Sequence, residues 1–105
     1  MRRGEVWWAD MPGAAKFRPV LLLSRDEAYA VRELVTIAPL TTRKRNLPVE
    51  VPLTKKDGVP KSCVINLDTI TTIPRKRLES RIVLLSAPLV QAVDDAIRFA
   101  LGLDD

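Results

Sequence analysis

Short apolar runs broken by turn residues fill the chain as far as residue 85, and a helical period takes over after it. Residues 5–11 mix large apolar and polar side chains and end at Pro12-Gly13, a turn pair, so they predict a first strand. Residues 18–24 are nearly all apolar, the pattern of a strand covered on both faces. A helical turn is expected over 26–30 and another strand over 34–40, with Pro39 marking its end. A polar, basic loop over 41–47 precedes a strand at 49–53. Asp57-Gly58 and Pro60 make 54–61 a turn-rich connection, and strands follow at 62–67, 69–73 and 81–85.

Beyond residue 85, Leu89, Val90, Val93, Ile97, Ala100 and Leu101 fall on one stripe of an amphipathic helix. Ser86 suits its N-cap, Pro88 its first turn and Gly102 its C′ position. Gln91, Asp94, Asp95 and Arg98 take the opposite, solvated face. Six to seven short strands and one helix predict a mainly β fold, a small twisted barrel with the helix packed on it.

Size and composition narrow the classes. At 105 residues and 11.7 kDa the chain is read as one domain, 1–105, large enough to bury about 65% of its extended surface. Its longest apolar runs, 20–23 and 82–85 among them, are only four residues and far too short to span a bilayer, so no membrane partner is expected. Nothing near the N-terminus resembles an export signal, and the single cysteine, Cys63, suits a reducing compartment, so a cytoplasmic location is expected. There is no histidine, which removes Ser-His-Asp and Cys-His catalysis and HExxH metal sites. The four glycines lie too far apart for a P-loop or a dinucleotide fingerprint.

Charge then points to a partner. Residues 41–81 hold ten bases and four acids, a net of +6, while the rest of the chain holds seven bases and nine acids, a net of −2. That clustering is the footprint of a phosphate-rich ligand, and the bland alternative is a solubilising face. The acids are scattered without ligand spacing, so no metal and no cofactor are expected. Asp94-Asp95 and Asp104-Asp105 read as solvated surface and tail.

Within this frame a few residues stand out. Trp7 and Trp8 are adjacent on a strand, so they point to opposite faces; one can stack on a base, though plain packing is the simpler reading. Arg18 follows the connection 12–16 and opens a strongly apolar strand, so its guanidinium is held at the end of a rigid support. Such a group can grip a phosphate and stabilise charge developing on it; edge protection is the alternative. Thr41-Thr42 place hydroxyls just before the basic triplet Arg43-Lys44-Arg45, for a phosphate, a ribose hydroxyl or a simple turn hydrogen bond. Arg75, Lys76 and Arg77 form a second basic strip.

The stretch from Arg3 through Asp10, followed by Arg18-Pro19-Val20-Leu21, resembles the opening of the MazF/PemK-type toxins. Ile37-Ala38-Pro39-Leu40-Thr41, the segment from Ser62 to Ile73, and the close from Leu85-Ser86 to Gly102-Leu103 resemble the same family in the same order. The resemblance implies an SH3-like barrel, usually a homodimer, acting as the toxin half of a bacterial toxin–antitoxin module. It implies a metal-independent endoribonuclease that cuts single-stranded RNA, and an antitoxin partner with an acidic segment. The family's catalytic arginine falls on Arg18 and its threonine on Thr41, with Asp68 as a third candidate. Two departures stand out: the connection after the first strand is short and lacks an acid used by some members, and position 66 is Asn where one branch has arginine.

The expected chemistry is in-line attack of a ribose 2′-OH on its neighbouring phosphate. Because a guanidinium stays protonated in proteins, charge stabilisation suits Arg18 better than proton transfer. Thr41 would hydrogen-bond the scissile phosphate or the attacking hydroxyl, while Arg43, Lys44 and Arg45, and then Arg75, Lys76 and Arg77, would track flanking phosphates as the RNA-binding residues. Two alternatives stay open: a basic barrel that binds nucleic acid without cutting it, and a toxin that inhibits a protein target such as gyrase.

Overall fold

A computed structural model describes residues 1–13 and 16–103. Ala14 and Ala15, in the connection before Arg18, and the tail acids Asp104 and Asp105 lie outside the described residues. Seven strands form: β1 (Glu5–Ala9), β2 (Arg18–Leu22), β3 (Leu34–Thr41), β4 (Glu50–Leu53), β5 (Cys63–Asn66), β6 (Thr71–Pro74) and β7 (Leu78–Leu84). Two helices accompany them, the short α1 (Ala28–Val31) and the fourteen-residue α2 (Ala87–Ala100). All pairings are antiparallel, in the order β4-β5-β3-β2-β1-β7, with β6 also on β3.

β3 organises the sheet. One of its edges pairs with β2, while the other serves β6 along Leu34–Ile37 and then β5 at Leu40 and Thr41. The sheet therefore divides along β3 and curls around two cores. Val6, Leu21, Ala38, Leu40, Val51 and Ile65 fill the core that α2 covers, with Val93 and Ala96 pressed into it. Ala9, Val20, Leu22, Val35 and Ile37 point the other way, onto Tyr29, Ile73 and Leu78. This two-sided cover explains why Val20, Leu21 and Leu22 are all fully buried and why their stretch lacks polar alternation. Each such side chain contributes about 1.5–3 kcal/mol by leaving water.

The barrel is not closed by hydrogen bonds, for no ladder joins β4 to β7 among the described residues. Packing brings the edges together instead. A 3-10 turn at Lys55–Asp57, capped by Thr54 and Asp57, ends at Gly58 with φ +97°. A Cβ on Gly58 would stand 2.6 Å from Cγ2 of Val83 on β7, so only glycine fits both the conformation and the contact.

Several boundaries differ from the sequence pattern. β7 starts at Leu78, not at Arg81: Ser80 and Arg81, though exposed, pair with Trp8 and Trp7 of β1, and Glu79 falls at a shift of register between Leu78 and Ser80. The basic stretch Arg75–Arg77 forms a 3-10 turn. Ser86 occupies the N-cap of α2 with an extended backbone, but its side chain makes no capping bond. Gly102, at φ +69°, closes the helix in a Schellman arrangement, with Gly102 N–H donated to Phe99 O and Leu103 N–H to Arg98 O. Leu101, expected on the buried stripe, is 60% exposed because α2 has run past the sheet there. Asp94, expected in solvent, accepts a 2.7 Å bond from Arg3 Nη2. Arg3 also donates Nε–H to Leu23 O, which ties the helix to the end of β2.

Candidate functional site

Arg18 is the first residue of β2 and Thr41 the last of β3. The ladder between these strands pairs Val20 with Pro39, and the same register carried two residues further sets Arg18 beside Thr41. Ala9, buried, pairs with Arg18 on its other side. The arginine thus stands exposed at a strand end paired with β1, two residues before the ladder to β3 begins at Val20.

Two cavities meet at this pair, and Arg18, Leu40 and Thr41 line both. The first, of about 440 Å³, is walled by Trp8, Phe17, Pro19, Val59 and Pro60, with Cys63, Thr42, Lys16 and Lys61 completing it. The second, also about 440 Å³, is polar and cationic: Arg43, Arg45, Asn66 and Thr69 line it beside Pro39. The pair is a rim between an apolar recess and a basic groove. Among the described residues, no carboxylate lies within ion-pairing distance of Arg18 or Arg43.

The loop bearing the basic triplet is held from below. Thr41 Oγ1 accepts the Arg43 N–H at 3.1 Å, so the turn hydrogen bond anticipated for this threonine does form. The hydroxyl proton of Thr41 stays available to donate into the site. Glu50, buried at the start of β4, accepts the N–H groups of Arg45 (2.9 Å) and Leu47 (3.4 Å) and pairs with the Arg45 guanidinium at 3.4 Å. Burial opposes its ionisation, but the Arg45 and Leu47 N–H groups and the Arg45 charge outweigh that and hold its carboxyl below the usual 4.5. Sequence reasoning missed this anchor, since a lone Glu at a strand edge carries no motif. It also missed Phe17, Val59, Pro60 and Lys61, whose meeting depends on the 54–61 connection folding back across the sheet.

Of the other candidates, Asp68 is exposed in the turn after β5 and is not among the residues lining either cavity. Its neighbours are: Asn66 donates Nδ2–H to Thr69 Oγ1 at 3.0 Å and accepts the Asp68 N–H at 3.0 Å. Lys44 is exposed on the same loop as Arg43 and Arg45. The strip 75–77 lies elsewhere. Arg75 donates to the carbonyl of Tyr29 and Arg77 to that of Asp10, while Arg75 and Lys76 line a separate hollow with Glu33 and Leu34. Both tryptophans are half-buried: Trp8 lines the first cavity, and Trp7 donates its indole N–H to Glu5 at 3.0 Å. Burial pushes the Cys63 thiol up, Asp57 adds to the effect and Lys61 partly offsets it. Among the described residues, no three Cys, Asp or Glu side chains gather where they could hold a metal ion, and no helix is long and apolar enough to cross a membrane.

A small antiparallel barrel that offers guanidinium, hydroxyl and backbone-anchored cations along one rim is of the class that handles phosphodiesters. The chain belongs to the PemK-like, MazF-like toxins of type II toxin–antitoxin systems, whose family model matches residues 2–101. It is 39% identical over 103 residues to a probable endoribonuclease, MazF2, of Mycobacterium tuberculosis, covering 97% of this chain and 99% of that one. Among solved structures it is similar to the Mycobacterium tuberculosis toxin MazF-mt6, with a TM-score of 0.86 and 35% identity over 96% of this chain and 99% of the other. It is also similar to a chain of the MazE-MazF crystal structure from Deinococcus radiodurans, with a TM-score of 0.82 and 28% identity over 97% and 95% of the two chains.

Proposed function

We propose that this toxin is a metal-independent endoribonuclease that cuts single-stranded RNA in the cytoplasm. The observation that carries the reading is the Arg18–Thr41 rim, with a guanidinium unpaired among the described residues and a free hydroxyl proton between two cavities lined by cations. Relatives named as endoribonucleases, matched over nearly the whole chain, support it.

In the proposed reaction the 2′-oxygen bonds to phosphorus as the bond from phosphorus to the 5′-oxygen breaks in line. The proton leaves the 2′-OH to solvent and another arrives on the departing 5′-oxygen. The products are a 2′,3′-cyclic phosphate and a 5′-hydroxyl. Arg18 stabilises the extra negative charge on the five-coordinate phosphorus centre, where a fixed donor is worth more than in water. Thr41, with one lone pair engaged by Arg43, donates its proton to a non-bridging oxygen. Arg43, Lys44 and Arg45 track the neighbouring phosphates. Asp68, outside both linings, acts on a flanking nucleotide in this reading and not at the scissile bond. Arg75 and Arg77, whose guanidiniums hold backbone carbonyls, contribute to the fold, and Lys76 is left as the cation of that strip able to reach RNA.

The working form is proposed to be a homodimer with two such rims, and the antitoxin to cover them with an acidic segment competing for the same cations. Incubation of the pure protein with a long RNA in excess EDTA tests the reading. Discrete fragments with 5′-hydroxyl ends are expected. Intact RNA that cuts only after Mg²⁺ is restored overturns metal independence, and RNA that is shifted but never cut overturns the enzyme.

A further inference from the structure

We propose that Glu50 is a positioning residue for RNA that acts through Arg45. It holds the Arg45 guanidinium as the one pre-set phosphate fork of the basic groove, an inference that rests on the RNA-cutting reading above. The segment 42–47 has no regular structure and each of its residues is exposed, so little packing holds its cations in place. It nevertheless takes a conformation that side chains disfavour. Asn46, at φ +58°, is the only residue other than glycine with a positive φ among the described residues. Around this left-handed residue the N–H groups of Arg45 and Leu47 turn to the same side, a concave donor pair of the kind that binds an anion. Glu50 Oε1 fills it, and the Glu50 N–H is donated back to Leu47 O at 2.9 Å.

The other carboxylate oxygen serves the Arg45 side chain. Oε2 accepts Nε–H at 3.4 Å, which joins a carboxylate only 2% exposed to a guanidinium side chain 50% exposed. A guanidinium held by Nε keeps the N–H donors of both Nη atoms, and among the described residues no other carboxylate pairs with Arg45. Arg45 lines the polar groove beside the Arg18–Thr41 rim. Asn66, in the same lining, has its amide engaged by Thr69 and the Asp68 N–H. Among the described residues neither Arg43 nor Lys44 pairs with a carboxylate, so they add charge without a fixed direction. A fork fixed before RNA arrives loses less freedom on binding and can meet a phosphate with two parallel hydrogen bonds.

The sign of one substitution separates this role from net charge. Removing a negative charge beside a phosphate path strengthens binding if charge alone matters, whereas loss of the clasp weakens it. The test is the affinity for a labelled single-stranded RNA of mixed sequence, 2′-O-methylated throughout so that it cannot be cut. Fluorescence anisotropy compares the wild type, Glu50→Gln, Arg45→Lys and the double variant, each checked for folding by circular dichroism. Glu50→Gln and Arg45→Lys are each expected to bind about tenfold more weakly, and the double variant no more weakly than either. In single-turnover cleavage of a long RNA at saturating protein, both are expected to lose much less than they lose in affinity. Tighter or unchanged binding by folded Glu50→Gln overturns the proposal, as does a double variant whose losses multiply to about a hundredfold. Should Glu50→Gln not fold, Arg45→Lys decides: wild-type affinity overturns the fork, and the tenfold loss supports it. A wild type that binds the blocked strand but cuts no RNA overturns the enzymatic reading, while the same affinities still judge the clasp. A wild type that binds no strand overturns both.

Discussion

The chain carries two arginine-rich strips of similar composition, 43–45 and 75–77, and the fold uses them differently. In the first, Glu50 grips the loop chiefly through backbone N–H groups, so Arg43 and Lys44 stay exposed beside the Arg18–Thr41 rim and Arg45 is half engaged. In the second, Arg75 and Arg77 spend their guanidiniums on the carbonyls of Tyr29 and Asp10, pinning the turn between β6 and β7 to α1 and to the end of β1. A count of positive charges treats the strips alike. Both strips are anchored through their backbones; what separates them is that Arg75 and Arg77 commit their guanidiniums to carbonyls as well, whereas Arg43 and Lys44 do not.

The sharpest way to break that distinction is at the rim itself. Arg18→Ala is expected to lower the cleavage rate by ~10²–10³ with the fold intact by circular dichroism, as for loss of one fixed electrostatic donor. Thr41→Val, which removes a hydroxyl hydrogen bond to a charged group, should cost about tenfold to a hundredfold in the same assay. Changing Arg43, Lys44 and Arg45 together to Ala should weaken binding at every sequence. The slope of log affinity against log salt should become shallower by up to about 0.7 per lost contact on single strands. An unchanged slope would remove this strip from the RNA path.

Arg75→Ala should do the reverse, leaving the salt slope unchanged while costing about 1 kcal/mol of stability. In a domain of this size that is a fall of roughly 4–8 °C in Tm by calorimetry. The smallest effect concerns pH. Glu5 is buried, which alone would raise its pKa, but Trp7, the Arg2 N–H, the N-terminal charge and Arg81 hold it below 4.5, as Arg45 and Leu47 do for Glu50. The unfolded chain therefore binds more protons near pH 4.5. The stability these carboxylates contribute is complete above that value and is lost as pH falls through their depressed values. Tm measured from pH 6 to pH 3 should drop less steeply in Glu50→Gln than in the wild type.

Much of the fold was legible because its strands are buried on one or both faces and its turns carry Gly, Pro and Asp in the expected places. β2 and α2 read clearly, since a fully covered strand and an amphipathic stripe leave strong periodic patterns. The start of β7 did not, because exposed Ser80 and Arg81 join the sheet through backbone pairing with β1 and Glu79 falls at a shift of register, which leaves no trace in side-chain polarity. Arg18 and Thr41 could be singled out by their positions at strand ends beside cations. Glu50 and the wall of Phe17, Val59 and Pro60 could not, since their contacts to the site come from chain segments brought together only by the curl of the sheet. Asp94 shows the same limit: its partner, Arg3, is ninety-one residues away.

The most direct measurement is single-turnover cleavage of one labelled RNA at saturating protein, comparing the wild type, Arg18→Ala and the Arg43/Lys44/Arg45 triple variant. Saturation removes differences in affinity and leaves the chemical step. The triple variant is expected to recover to within about tenfold of the wild type, while Arg18→Ala stays down by ~10²–10³. Recovery of Arg18→Ala to the wild-type rate would contradict the assignment and reduce Arg18 to one more cation on a strand end.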